Sequence, residues 1–192
     1  MLPDAPRMLD LERRCRREGS GLQPDDLIGS WRLERVWSKG SLRPAALSAS
    51  LLRGLAARLQ MEADASGPGL RLVNSVRLGA LGLRFEGTGR LQGRRPLLEF
   101  QFDRWLLSLA GRVLIERALP APAPRQRPFF ALIAARRPAS GTAGEPVGWL
   151  AARGRGGGLA LWCLEADPEG WSRRLIQTAE AGAERDADKI RE

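Results

Sequence analysis

Apolar and polar side chains alternate along several short stretches of the chain, which is the pattern of half-buried β-strands. In the first stretch the alternation places four side chains on one face: Trp31, Leu33, Arg35 and Trp37. Further stretches of this kind follow at 70–78, 83–91, 97–105, 129–135, 147–153 and 159–165. Because turn residues separate these short stretches, we expect a mainly β protein, an antiparallel β-barrel of about eight strands.

Three other segments have the signals of helices. Residues 4–18 are predicted to form a short charged helix, and Asp167 and Pro168 are typical of the start of a C-terminal helix. After Pro44, leucines recur at every fourth position, which predicts an amphipathic helix over 44–61. The 192 residues are enough for one sizeable core. We therefore divide the chain into an N-terminal helical segment (1–26), a β-barrel domain (27–165) with the inserted helix, and a C-terminal helix or tail (166–192).

The inward faces of the predicted strands supply candidates for a ligand site. Arg35 and Asn74 are polar side chains on otherwise apolar faces, where they could orient a head group. Four aromatic residues are candidates for the walls of the site: Trp37, Phe85, Phe100 and Phe102. Gly87 and Gly89 follow Phe85 and predict a bulge or bend. The alternative interpretation is that these aromatic side chains only fill a core.

The stretch AARGRGGGLALW at 151–162 has two interpretations. An Arg-Gly segment that binds nucleic acid normally repeats within polar, low-complexity sequence. This one occurs once, between two stretches that alternate as half-buried strands. Three consecutive glycines also supply the positive φ angles of a tight hairpin. The context therefore predicts a turn that joins two strands.

Composition removes several kinds of chemistry. The chain has no His and no Tyr, which excludes any triad, proton shuttle or metal site that depends on imidazole. Cys15 and Cys163 are too few for a zinc cluster. Four carboxylates could serve an enzyme as acid or base, without any sign that they converge: Glu34, Glu86, Glu99 and Asp103. We therefore expect a non-enzymatic protein with no metal and no cofactor.

Charge suggests an anionic partner. The net charge is +9, and the segments 32–58 and 112–137 each hold six basic residues and one acidic residue. Such surfaces are typical of proteins that contact a membrane face or nucleic acid. A peripheral membrane contact would use the predicted helix and the proline-rich loop near 116–128, through Arg43, Leu51, Arg53, Leu55, Arg58, Arg125 and Arg127. No apolar stretch reaches the roughly 18 residues that a spanning helix needs, and the first residues lack the pattern of a secretory signal.

Three motifs resemble the plastid lipid-associated protein family, also called fibrillins. LIGSWRL at 27–33 is similar to the family's opening Gly-x-Trp-x-Leu strand, which matches Gly29 and Trp31. GTGRLQGRRPLLEFQFD at 87–103 is similar to its middle hairpin. LAARGRGGGLALW at 150–162 is similar to its closing motif, which matches Arg153, Gly154 and Gly157. The chain departs from the family after SWRL, where ERVWSKG replaces a stretch with Tyr, Thr and Ser.

This resemblance implies a lipocalin-like barrel that holds a lipid, quinone or other isoprenoid. The chain would then be a cyanobacterial-type member, cytoplasmic and peripheral on a thylakoid or other internal membrane. The resemblance also implies that Arg153 covers Trp31 and closes the barrel by cation–π stacking, with Gly29, Gly154 and Gly157 as structural residues. Two alternatives stay open: a basic nucleic-acid-binding barrel, which would use the same arginines, and a lipocalin-like bilin lyase.

Overall fold

The computed structural model describes residues 2–41, 43, 57–65, 67–94, 96–137 and 148–165. Two helices come first, α1 (Ala5–Glu18) and α2 (Pro24–Leu27), and a 3₁₀ turn lies at Pro124–Gln126. Nine strands follow α2 in chain order: β1 (Gly29–Trp37), β2 (Arg58–Ala63), β3 (Leu70–Leu78), β4 (Leu81–Gln92), β5 (Leu97–Leu109), β6 (Arg112–Ala118), β7 (Phe129–Arg136), β8 (Trp149–Gly154) and β9 (Leu159–Leu164).

All nine strands belong to one antiparallel sheet, and eight of them close into a ring. The strand order is β4-β3-β2-β1-β9-β8-β7-β5-β6, and an additional pairing between β4 and β5 closes the ring. Among the described strands, β6 pairs only with β5 and lies outside the ring. The predicted mainly β architecture of about eight antiparallel strands is confirmed at this level.

The inside of the ring is packed at one end by a continuous apolar cluster, here called the inner cluster. Trp31 and Leu98 are completely buried in it, and the Trp31 indole Nε1 donates a 2.7 Å hydrogen bond to the Leu27 carbonyl. The inner cluster consists of Leu27, Trp31, Leu59, Met61, Leu70, Leu72, Leu98, Phe100, Leu132, Leu150, Ala152 and Trp162. Because every strand of the ring except β4 contributes a buried side chain, this cluster fixes the closure of the ring.

Helix α1 covers part of the outside of the ring. Asp4 caps the helix by accepting a 3.0 Å hydrogen bond from the Arg7 N–H, as predicted for a helix over residues 4–18. Its apolar side packs on strands β7 to β9 in an outer cluster made of Ala5, Met8, Trp37, Ile133, Trp149, Ala151, Leu159 and Leu161. These three strands are therefore covered on both faces.

An ion pair with two hydrogen bonds connects α1 to β8. Arg153 donates from Nε to Glu12 Oε1 at 2.7 Å and from Nη2 to Glu12 Oε2 at 2.6 Å. These hydrogen bonds hold the pKa of Glu12 below its ordinary value, against the opposing effect of burial. The expected stacking of Arg153 on Trp31 is wrong, because Arg153 lies on the outer face of β8 and Trp31 points into the ring.

A bulge in β1 overturns the expected orientation of two site residues. Leu33 pairs with Trp162, but Arg35 pairs with Leu161, so one extra residue is inserted between them. An extra residue reverses the faces of the residues that follow it. Trp31 and Leu33 therefore face the inside, whereas Arg35 and Trp37 lie on the outer face, where Trp37 packs in the outer cluster. Placing all four on one face was wrong.

The predicted helix over 44–61 is wrong at its C-terminal end. Residues 58–61 belong to β2, and Leu59 and Met61 point into the inner cluster. The repeat of leucines at every fourth position also matches the period of two in a strand, which is why Leu59 fitted both patterns. Residues 44–56, like the predicted C-terminal helix from residue 167, lie outside the described residues.

The glycine-rich stretch between β8 and β9 is a tight hairpin, as predicted. The Gly154 N–H donates a 2.9 Å hydrogen bond to the Gly158 carbonyl, and the Gly157 N–H donates to the Gly154 carbonyl at 2.8 Å. Gly157 has a φ of 85°, which side chains other than glycine rarely adopt. The hairpin therefore serves the fold, and the interpretation as a flexible nucleic-acid-binding arm does not apply to it.

Candidate functional site

Four strands continue beyond the part of the ring that the inner cluster fills. The last residue of β3 to pair with β2 is Ser75, and β7 pairs with β5 only at 97–99. From this level onward the sheet continues as residues 74–78, 81–86, 104–109 and 112–118, here called the extension. Its inner face is continuous with the inside of the ring, because Leu59, Asn74, Phe85 and Trp105 are successive cross-strand partners.

A bulge between β4 and β5 decides which aromatic residues face inward. Glu86 pairs with Arg104 and Gly87 pairs with Phe102, so Asp103 is the extra residue. Gly87 permits this close approach, since a Cβ atom there would lie 1.9 Å from the Gln101 carbonyl oxygen. The bulge brings Trp105 to the same face as Phe100 and Phe102. A bend at this glycine was predicted, and its consequence for Trp105 was not.

The inward-facing aromatic side chains form one connected row. Ring centroids are separated by 5.6 Å for Phe85 and Phe102, by 5.4 Å for Phe102 and Phe100, and by 5.2 Å for Phe100 and Phe130. The row ends at Trp162, 5.4 Å from Phe130. It therefore runs from the filled end of the ring toward the extension across β4, β5, β7 and β9.

Burial changes along this row. Phe100 and Trp162 are buried, whereas Phe85, Phe102 and Trp105 are only half-buried. Three aliphatic side chains on the same face are also half-buried: Val76, Leu83 and Leu107. We call the half-buried set of Asn74, Val76, Leu83, Phe85, Phe102, Trp105 and Leu107 the upper inner wall. It is a half-buried, mainly apolar surface that lies outside the inner cluster.

Asn74 is the polar residue on this wall. Its neighbours across the strands are Leu59 and Phe85, so its amide stands among apolar side chains. Within the described parts of the chain, the Asn74 side chain makes no hydrogen bond, although it is half-buried. A half-buried amide that has no partner among the described residues is available to hydrogen-bond a bound molecule.

The structure thus brings four of the six predicted ligand residues together. Asn74, Phe85, Phe100 and Phe102 share the inner face, and Arg35 and Trp37 do not. Sequence reasoning missed Trp105, Leu107 and Phe130. Unbroken alternation from Phe102 would place Trp105 on the outside. The available signal was Gly87, whose missing side chain allows the bulge.

The outer face of the extension carries an ion-pair network around Glu86. Arg104 approaches its carboxylate at 2.6 Å, Arg84 at 2.7 Å and Arg71 at 3.4 Å, and Arg104 also contacts Glu116 at 3.0 Å. Burial acts to raise the pKa of Glu86, but the hydrogen bond from Arg104 and the surrounding arginine charges hold it below its ordinary value. This carboxylate is engaged in structure, as are Glu34 beside Arg32 and Glu99 beside Arg127.

The predicted membrane-contact residues are spread over different surroundings. Arg58 is ion-paired with Glu165 at 2.7 Å, and Arg43 is exposed. Arg125 and Arg127 line a cavity of about 170 Å³ on the outer surface together with Arg155, which donates to the Arg125 carbonyl at 2.8 Å. The remaining three, Leu51, Arg53 and Leu55, lie outside the described residues.

Both cysteines are buried. Cys15 Sγ donates to the Leu132 carbonyl at 3.5 Å, and burial raises the pKa of the Cys163 thiol. Within the part of the chain that the structure describes, no three His, Cys, Asp or Glu side chains are grouped as metal ligands. In the same part, no helix has the length and apolar character needed to cross a membrane.

No protein-family model matches the chain, and no curated protein sequence matches it. The upper inner wall is therefore the feature of this molecule that carries most information about its function.

Proposed function

We propose that the protein binds a hydrophobic small molecule against the upper inner wall, inside a lipocalin-like β-barrel. The observation that carries this proposal is a row of aromatic side chains that leaves the filled core and stays half-buried, with an unpartnered amide beside it. A lipid, quinone or other isoprenoid has the matching chemistry, a long apolar part with one polar head group.

The expected affinity follows from the apolar contact that such a molecule would make with this wall. Desolvation contributes about 0.8 kcal/mol for each buried methylene, and micromolar affinity needs about 8 kcal/mol. Contact with roughly ten methylenes, before the cost of association, therefore brings binding into the measurable range. The half-buried wall side chains on β3, β4 and β5 present a continuous surface for this contact.

The position of the site along the ring follows from packing. The inner cluster fills the other end with Trp31, Leu98 and their neighbours, so a ligand cannot enter there without displacing core side chains. The ligand instead lies on the side of Phe100 that faces Phe85 and Trp105. Asn74 donates or accepts a hydrogen bond at the head group.

A matched pair of phenylalanine substitutions tests this proposal. Phe85→Ser removes an aromatic ring from the upper inner wall, and Phe129→Ser removes an equally half-buried ring from the outer face, where it lines the surface cavity. Titration with a fluorescent fatty acid should show affinity that is lower by roughly tenfold or more in Phe85→Ser, the loss expected for one aromatic contact. The affinity of Phe129→Ser should equal that of the wild type.

Native mass spectrometry of the purified protein supplies the second readout. The proposal predicts a co-purified hydrophobic molecule that Phe85→Ser loses and Phe129→Ser keeps. Equal fatty-acid binding by the two variants would contradict the site. Co-purified nucleic acid, released by raised salt, would favour the nucleic-acid-binding alternative instead.

A further inference from the structure

The far end of the extension exposes large apolar side chains that the proposed ligand site does not use. The β3–β4 turn at 79–80 and the β5–β6 turn at 110–111 lie side by side, because Leu81 pairs with Leu109 and the Ala110 N–H donates to the Ala80 carbonyl at 2.7 Å. The exposed side chains at this end, here called the tip, are Leu78, Leu81, Leu109, Val113, Leu114 and Ile115. Leu78 and Leu114 are 59% and 58% exposed.

The apolar side chains of the tip point to both faces of the sheet. Leu78, Leu81 and Leu109 are cross-strand partners on the inner face. Val113 pairs with Ser108 and lies on the outer face. A protein that docks on a sheet covers one of its faces, whereas a medium that surrounds the tip covers both. This arrangement favours insertion into an apolar medium over docking of a partner on one face.

The turns are built so that no polar loop shields these side chains. Ala110 and Gly111 both have positive φ angles, 48° and 83°, which make the β5–β6 connection a tight two-residue hairpin turn. Both turns contain only Gly and Ala. The first long side chains on either side are therefore Leu78, Leu81, Leu109 and Arg112.

Three arginines accompany the apolar side chains. Arg77 is next to Leu78 and Arg112 is next to Val113, and Arg117 lies five residues further along β6, opposite Trp105. All three are exposed, and within the described residues none of them has an ion-pair partner. The two nearby acids, Glu86 and Glu116, are bound by Arg104. The tip thus combines apolar side chains with unneutralised positive charge, which matches the interface of an anionic bilayer.

Strand pairing with a second copy of the chain fits the tip less well. β6 has a free edge, but its register shifts so that Ile115 pairs with Leu107 and Val113 pairs with Ser108. Leu114 is the extra residue of this bulge. A bulged edge is a poor template for another strand. We therefore propose that the tip inserts into the interface of an anionic lipid bilayer, with Arg77 and Arg112 at the level of the head groups. This inference goes beyond the proposed small-molecule binding and does not depend on it.

Flotation with lipid vesicles tests the apolar part of the proposal on the full-length protein. The variant Leu109→Ser/Val113→Ser/Leu114→Ser changes exposed side chains only, so it should fold. Leu97→Ser is the control, because Leu97 is an exposed apolar residue on the outside of the ring, away from the tip. With vesicles of equal phosphatidylcholine and phosphatidylglycerol, the tip variant should lose at least tenfold in partitioning, since three apolar side chains no longer enter the bilayer. The control should float like the wild type.

Arginine substitutions test whether positive charge at the tip contributes to membrane binding. Arg77→Gln/Arg112→Gln should partition roughly tenfold less to the anionic vesicles, whereas Arg94→Gln/Arg136→Gln, with two exposed arginines elsewhere, should lose less than twofold. Vesicles of phosphatidylcholine alone should bind the wild type at least tenfold less well. Equal binding to both kinds of vesicle, or equal loss in the two double variants, would overturn the role of the arginines.

A fluorescent label reports whether the tip enters the bilayer. The two native cysteines are buried, so a polarity-sensitive dye on Leu114→Cys labels the tip selectively. Its emission should shift to the blue with anionic vesicles. An unshifted emission on bound protein would overturn insertion. If the protein formed a dimer without lipid, and the triple serine variant of the tip did not, membrane insertion would be overturned in favour of self-association.

Discussion

The filled end of the ring and the extension are built from the same kind of strand, and they differ in what covers the strand faces. At the filled end, opposing strands bury the inner face, and α1 buries the outer face of β7 to β9. In the extension, no opposing strand faces the apolar inner side within the described residues, and β6 is exposed along its whole length. Alternation alone therefore does not distinguish a filled core from an apolar face that stays half-exposed.

The contrast also separates two uses of charge. At the filled end, Arg153 and Glu12 join a helix to the ring through two hydrogen bonds in a half-buried setting. In the extension, Glu86 concentrates three arginines on one outer face, while Arg77, Arg112 and Arg117 stay unpaired within the described part. One end uses charge to hold a helix on the ring, and the other leaves arginine side chains exposed to solvent.

The largest expected effect compares two leucines of the same strand. Leu98 is completely buried in the inner cluster, and Leu109 is 47% exposed at the tip. Leu98→Ala should lower the free energy of unfolding by about 3 kcal/mol, because it leaves a cavity in a filled core. Leu109→Ala should change it by less than about 0.5 kcal/mol. Urea unfolding measures both values, and similar losses would contradict the difference between the two regions.

The second effect compares an ion pair from each region. Glu12→Gln should lower the free energy of unfolding by about 2 kcal/mol, because it weakens two charge-assisted hydrogen bonds to Arg153. Glu116→Gln removes an exposed partner of Arg104 and should cost less than about 0.5 kcal/mol. Thermal and urea unfolding at neutral pH measure both values. Equal destabilisation by the two substitutions would contradict the prediction.

The same carboxylate predicts a pH dependence. The pKa of Glu12 is lower in the fold than the ordinary value of 4.5. Its stabilisation is therefore present above that value and is lost as the pH falls through the lower, folded value. Glu86 has a lowered pKa as well and acts in the same direction. Glu12→Gln should make the loss of stability below about pH 4.5 less steep than in the wild type. An unchanged slope would contradict this.

The smallest expected effect has the opposite sign. Asn74→Leu replaces a half-buried amide on the upper inner wall, which no described residue hydrogen-bonds, with an apolar side chain. We expect it to stabilise the protein by about 0.5 kcal/mol while weakening selectivity for ligands with a polar head group. Urea unfolding and paired titrations with a fatty acid and a hydrocarbon measure the two effects. Destabilisation would show that the amide serves the fold.

The sequence predicts much of the fold and part of the candidate site. Most of the wrongly predicted side-chain orientations have a common physical cause. Alternation located most of the strands, although not β2, and the inward faces of Leu98, Phe100 and Asn74, and the glycines located the hairpin after Arg153. The errors at Arg35, Trp37 and Trp105 all follow from bulges, which reverse the alternation by inserting one residue. The partner of Arg153 was missed because local sequence contains no information about the distant Glu12.

Quenching of Trp105 tests the central claim most directly. Trp105 lies on the upper inner wall, whereas Trp149 packs in the outer cluster beneath α1. A brominated fatty acid quenches tryptophan only at close range. It should quench the wild type and Trp149→Phe to similar extents, and Trp105→Phe should lose most of that quenching. Quenching that persists unchanged in Trp105→Phe, or that is absent from the wild type, would contradict a hydrophobic ligand site on the upper inner wall.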